Sequence, residues 1–162
     1  MKAVVQRVTR AKVTVDEKVT GSIDRGFMVL LGIGREDGKA EAEMIAKKLC
    51  ALRICDDEKG VMNLSLPDSV AAAGEDGVPS MLVVSQFTLM ADVRRGNRPS
   101  YIEAARPEEA KPLYEYYVDL LRNSGIRVET GIFQADMQVE LVNDGPVTII
   151  IDTDELKKPR NN

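Results

Sequence analysis

Two hydroxyls and an amide sit close together in Ser85-Gln86-Phe87-Thr88, where the apolar run Ser80-Met81-Leu82-Val83-Val84 gives out. At a strand end such residues stand beside backbone N–H groups that the sheet no longer uses, and together they are the parts of an oxyanion hole. The same residues equally suit a strand that ends by capping the following turn. A second polar cluster, Asn143-Asp144-Gly145-Pro146, reads by itself as a hairpin turn with its Gly-Pro bond in the ordinary trans form.

What is missing narrows the chemistry further. The chain has no histidine, which removes Ser-His-Asp and Cys-His constellations and leaves Thr88 without an obvious base. Cys50 and Cys55 stand in neither a CxxC nor a metal-ligand spacing, so reduced thiols and no metal site are expected. Gly32-Ile33-Gly34 lacks both the third glycine of a dinucleotide loop and a Walker ending, and no cofactor is expected. Asp92, Asp136 and Asp144 lie near the two clusters, but spacing alone marks none of them as catalytic. A net charge of -4 confines any nucleic-acid contact to a local patch. The best patch is Arg94-Arg95-Gly96-Asn97-Arg98-Pro99, which alone would pass for a solvated basic turn. Aromatics at 4% and the absence of Trp argue against an RNA-binding sheet faced with aromatic rings.

The elements that must position these residues follow from periodicity. The 162 residues, 44% hydrophobic, suit one globular domain. Short β-branched runs at 3–8, 12–15, 18–20 and 27–31 predict consecutive strands, the last apolar enough to be covered on both faces. Ala42, Ile45, Ala46, Leu49 and Leu52 predict a helix over 39–52, and Ala110, Leu113, Tyr117, Leu120 and Leu121 a second from Pro107 to near Gly125. Strands are expected at 80–87, 136–142 and 147–151. The stretch 67–79 reads as a surface excursion, and 56–60 as a turn between short extended pieces. The expected fold class is a single α/β domain over 1–152, layered α/β/β, with a largely antiparallel or mixed sheet and two main helices. A polar, frayed tail is expected at 153–162. No leader-like or membrane-spanning apolar run stands out, and a cytoplasmic protein is expected.

Taken together, four segments resemble the D-aminoacyl-tRNA deacylases, historically D-tyrosyl-tRNA deacylases. They are Met1 to Val8, Ser85 to Leu89 continuing through Ala91-Asp92 to Arg98-Pro99-Ser100, Gly131 to Val139, and Asn143 to Thr148. The 70–80 excursion and the tail beyond Asp152 look like additions to the family pattern. The resemblance implies an editing hydrolase acting on the ester of D-aminoacyl-tRNA, with no cofactor and neither DNA nor membrane as partner. It implies a homodimer in which Gly145-Pro146, as a cis peptide, enters the partner's pocket and excludes L side chains by steric block. Glycine, having no side chain to exclude, would pass the same filter, which makes glycyl-tRNA a second expected substrate. By the same resemblance Arg7 orients the Gly-Pro element, while Phe133 and Met137 line the side of the pocket that takes the terminal adenosine. Ser85, Gln86, Phe87 and Thr88 form the catalytic segment, and Arg94, Arg95 and Arg98 contact tRNA.

Two mechanisms fit this segment. Thr88 could attack the carbonyl and form an acyl-enzyme, but that needs a base the sequence does not supply. Alternatively the N–H groups around Phe87 and Thr88 hold the carbonyl oxygen while the ribose 2'-hydroxyl assists water, which the missing base favours. Two rival readings are a non-catalytic RNA-binding module built on Arg94 to Arg98, which would protect the ester, and a general small-ester hydrolase, which would not need tRNA.

Overall fold

The structure, a computed structural model, describes residues 1–73 and 78–159. Three strands open the chain: β1 (Lys2–Val15), β2 (Lys18–Ile23) and β3 (Gly26–Gly32). The runs 3–8 and 12–15, separate by sequence, are one 14-residue strand. An irregularity near Val8 to Arg10 inserts an extra residue into β1, so that Val8 and the odd-numbered Ala11 and Val13 all face one core cluster. After α1 (Lys39–Cys50) come the short pair β4 (Cys55–Asp56) and β5 (Met62–Leu64), then α2 (Leu66–Ala72) and β6 (Ser80–Ser85). A 3-10 turn, Phe87–Met90, leads on to α3 (Pro107–Asn123), β7 (Arg127–Thr130), β8 (Gln138–Asp152) and α4 (Thr153–Lys157).

The main sheet runs β2-β1-β3-β6-β7, with β8 along the remaining edge of β1. It is mixed: β3 with β6 and β6 with β7 pair in parallel, while the pairings of β1 are antiparallel. Both faces of β3 and β6 are buried, as their continuous apolar runs require. Phe27, Val29, Leu31, Met81 and Val83 meet Ile45 and Leu49 of α1 and Tyr117 and Leu121 of α3 in one core. Met28, Leu82 and Val84 meet Val8, Ala11, Val13 and Ile23 in the other. Each fully buried leucine or isoleucine contributes about 1.5–3 kcal/mol of transfer free energy. The second core exists because the sheet curls toward closure. A Cβ at Gly21 of β2 would stand 2.5 Å from the carbonyl oxygen of Thr130 in β7, an approach that only glycine permits.

Other sequence expectations change as well. Residues 67–72 of the supposed excursion belong to α2, started by Ser65, whose hydroxyl accepts from the Asp68 N–H, with a proline in the first turn. Residues 74–77 lie outside the described residues. The tail does not fray at its start: Thr153 is fully buried, its N–H donates to the Met1 carbonyl oxygen at 3.0 Å, and Lys157 reaches Glu41 of α1 at 2.7 Å. Residues 160–162 lie outside the described residues. Strand β7 went unanticipated, because Arg-Val-Glu-Thr is short and half polar.

Candidate active site

At the end of β6 the chain turns sharply. The Gln86 N–H still donates to the Leu31 carbonyl at 2.8 Å, as the last rung between β3 and β6, and the 3-10 turn begins at Phe87. The N–H groups of Leu89 and Ala91 are taken up by the carbonyls of Gln86 and Thr88. Those of Phe87 and Thr88 have no acceptor among the described residues, as expected for the first N–H groups of a helical turn. The turn is seated on Gly32. A methyl group there would stand 2.8 Å from Leu89 Cβ and 3.1 Å from the Gln86 carbonyl oxygen. Gly32 and Gly34, unremarkable as a phosphate loop, therefore serve as the floor under the 3-10 turn, Gly32 beneath Gln86 and Leu89 and Gly34 beneath Met90.

Ser85, Gln86 and Phe87 line a cleft of about 630 Å³ together with Phe133 and Met137. Thr88 is not part of that lining. Its hydroxyl is engaged by the Gln86 side-chain amide, which donates to it, and no carboxylate or other base bonds to it among the described residues. The cleft also holds Tyr101, Arg106 and Asp136. Phe87, 57% exposed, meets Tyr101 edge to face at 5.1 Å, and Phe133 leans on Tyr114 at 5.9 Å. Tyr101 and Arg106 were missed by sequence reasoning. The one available signal was Arg106-Pro107 opening α3, which puts a cation at the cleft mouth.

Arg94, Arg95 and Arg98 lie in a loop closed by two backbone hydrogen bonds between Asp92 and Ser100, at 2.8 and 2.9 Å, and do not line the cleft. Arg94 pairs with Asp92 at 2.7 Å. The hydrogen bonds from Arg94 hold the Asp92 carboxyl down at about 2, so this carboxylate is a fixed anion. One of the three cations is thus already balanced, while Arg95 and Arg98 have no ion-pair partner among the described residues.

Neither Gly145 nor Pro146 lines this cleft in its own chain. The expected turn is instead an excursion from a continuous strand. Gln6 of β1 faces Thr148 and Val8 faces Asn143, so β8 carries three more residues than β1 across that interval. Two clamps hold the excursion. Asn143 closes its neck, accepting from the Val147 N–H at 2.7 Å and donating to the Val147 carbonyl at 3.0 Å. Arg7, opposite on β1, donates from Nε to the Asp144 carbonyl at 3.0 Å. The Gly145-Pro146 peptide is cis, and Gly145 has φ +142. A Cβ at Gly145 would stand 2.7 Å from Val147 Cγ2 and 2.9 Å from the Val147 nitrogen.

Known proteins with this sequence pattern decide the family. The pattern described as D-Tyr-tRNA(Tyr) deacylase matches residues 4–152. The chain belongs to that family. Membership places it among hydrolases of the ester between an amino acid and tRNA. A D-aminoacyl-tRNA deacylase of Koribacter versatilis is 56% identical over 153 residues, 94% of this chain and 97% of that protein. One of Thermus aquaticus is 51% identical over 161 residues, 99% of both chains. The match to that relative runs on past Asp152, where the family pattern itself stops. A solved structure titled c-Myc DNA Unwinding Element Binding Protein superposes with a TM-score of 0.81 at 41% identity, over 94% of this deacylase chain and 98% of that one. Among the described residues no helix is long and apolar enough to cross a membrane.

Proposed function

We propose that the cleft at the end of β6 hydrolyses the ester of D-aminoacyl-tRNA, and of glycyl-tRNA, while L-aminoacyl-tRNA is turned away by Gly145-Pro146 from a second copy of the chain. The observation that carries this reading is the separation of two half-sites. One half is a cleft with free N–H groups and hydroxyls. The other is a clamped excursion that faces nothing in its own cleft. Two copies related by a twofold axis bring each half to the other.

The edge of β8 away from β1 is unpaired among the described residues, and Ile150 on that strand is 73% exposed. An edge and apolar surface of this kind suit burial against a second copy. The N–H groups of Phe87, which lines the cleft, and of Thr88, the next residue along the turn, take the developing oxyanion, and the substrate's own 2'-hydroxyl assists water. The engaged hydroxyl of Thr88 supports that mechanism over nucleophilic attack. Phe133 and Met137 take the terminal adenosine, and Arg95 and Arg98 contact phosphates farther along the acceptor stem. Cytoplasmic residence follows from the substrate.

The chiral filter works by exclusion. Backbone carbonyls of Gly145-Pro146 stand where an L side chain must go, so D residues of many kinds enter and glycine enters with them. The DNA-binding name of one structural relative suggests a second partner. However, the net charge of -4 and a basic turn already part-neutralised by Asp92 favour the short, end-on contact of an acceptor stem.

The test is Gly145→Ala, assayed on D-tyrosyl- and L-tyrosyl-tRNA. The crowded Cβ site and the positive φ force the excursion to move, so L-ester hydrolysis rises relative to D. Unchanged rejection of the L ester would remove Gly145-Pro146 from the filter.

A further inference from the structure

Arg7 is a cation with little access to water, its side chain only 11% exposed, and it survives there by being shared. Its Nε–H donates to the Asp144 carbonyl at 3.0 Å and lies 3.4 Å from the Asp144 carboxylate. Its Nη1 donates to the Ile54 carbonyl at 2.8 Å and to Asp56 Oδ1 at 3.0 Å. Its Nη2 lies 3.5 Å from where a Cβ of Gly145 would be. Two nitrogens of one rigid plane, Nε and Nη2, therefore face the Gly145 excursion, and the third, Nη1, faces the β4 segment.

We propose that Asp56 is a positioning residue for chiral selection, acting through Arg7 to set how Gly145-Pro146 is presented to the partner's cleft. This rests on the reading of Gly145-Pro146 as the filter. The guanidinium is planar, so fixing Nη1 fixes the direction of Nε–H and with it the Asp144 carbonyl, one residue before Gly145. Ile54 supplies a carbonyl from a buried position. Asp56 supplies the charge that makes Nη1 prefer one orientation. Asp56 is itself held by the β4–β5 pair, where Cys55 faces Leu64 and Asp56 faces Met62, and by the buried Ile54 and Cys55 beside it. The 53–64 hairpin thus becomes a brace for an element far away in sequence. Asp56 lines no part of its own chain's cleft and is 46% exposed, so it acts through Arg7 and not on the ester.

Removing Asp56 leaves Asp144 to neutralise Arg7, so the chain still folds. The test uses purified full-length Asp56→Ala and Asp56→Asn beside Gly145→Ala, with rates on D-tyrosyl- and L-tyrosyl-tRNA and a thermal melt for each. In Asp56→Ala the L/D rate ratio rises about fivefold, as befits loss of a half-exposed charged contact, while the D rate stays within about twofold. Asp56→Glu restores part of the selectivity. Adding Arg7→Lys to Asp56→Ala changes the ratio by less than the two single effects together, because both act through one contact.

An unchanged ratio in Asp56→Ala and Asp56→Asn, with the ratio shifted in Gly145→Ala, overturns the role of Asp56 and leaves the filter standing. A ratio unchanged in all three overturns the filter and Asp56 with it. A parallel fall of both rates that follows the melting temperature also overturns the proposal, because it marks Asp56 as merely structural. So does strict additivity with Arg7→Lys, which would sever the proposed route.

Discussion

Thr88 has a hydroxyl in the right segment and the wrong company. The Gln86 amide donates to it, no base is bonded to it, and it lies outside the lining of the cleft. Thr88→Ala is therefore expected to keep most of the activity on D-tyrosyl-tRNA, within about tenfold of the parent, since its backbone N–H remains. An aminoacyl adduct trapped on Thr88 would contradict this. Gly32 is the opposite case, silent in the sequence as a catalytic residue yet pressed against the turn that carries the N–H groups. Gly32→Ala is expected to lower kcat/KM by at least about tenfold with the fold retained, because the turn must move by a substantial fraction of an ångström. Tyr117 is fully buried, and its hydroxyl finds no partner among the described residues. Burial drives its ionisation far above the ordinary tyrosine range, so it stays a neutral phenol. Tyr117→Phe removes an unsatisfied polar atom and is expected to raise stability by about 1 kcal/mol, read as a melting temperature higher by about 2–4 °C.

Among the elements, the strands buried on both faces were legible because nothing but a continuous apolar run can occupy them, as with Phe27 to Leu31 and Met81 to Val84. The helices α1 and α3 were legible from their stripes. The fully buried face of α3 includes Tyr114 and Val118, which the expected stripe omitted, while Leu113 and Leu120 of that stripe are only partly buried against the core. The continuity of β8 was not legible, because Asn-Asp-Gly-Pro is the composition of a turn. The strand resumes only because β1 offers rungs on both sides and Asn143 with Arg7 closes the gap. Helix α2 was hidden by its Ala- and Gly-rich surroundings, although Ser65 ahead of Pro67 is a start signal. The docking of α4 was hidden because it depends on partners distant in sequence, Met1 and Glu41. Glu41 accepts from Lys157 at 2.7 Å and from the Gly38 N–H at 2.9 Å, and these bonds hold its carboxyl down at about 2. Its stabilisation is complete above the ordinary glutamate range, near pH 4.5, and is lost as the pH falls toward 2. Lys157 is half exposed, so the contribution is about 1 kcal/mol. Urea unfolding between pH 5 and 2 should show this loss in the parent chain and a smaller one in Lys157→Met.

At the scale of the whole molecule, the proposed function divides the site between the cleft and the Gly145-Pro146 excursion, which does not line that cleft in its own chain. The cleft is built where two parallel strands end, and the excursion where an antiparallel edge strand is forced outward. Family membership was carried by ordered motifs spread from β1 to β8, and no one of those motifs would have carried it alone. The site's cations show the same division between what sequence can and cannot place. Arg94, Arg95 and Arg98 stand out as a cluster yet lie outside the cleft, while the solitary Arg106 lines it. A filter inserted from a second copy requires a dimer in solution, and sedimentation should show a species of twice the 17.8 kDa chain mass at working concentration.

The most direct measurement is ester loss from D-tyrosyl-, L-tyrosyl- and glycyl-tRNA incubated with the full-length protein. Rapid loss of the D and glycyl esters with the L ester preserved is the expected result. Equal loss of the D and L esters would contradict the central claim that the site selects by handedness.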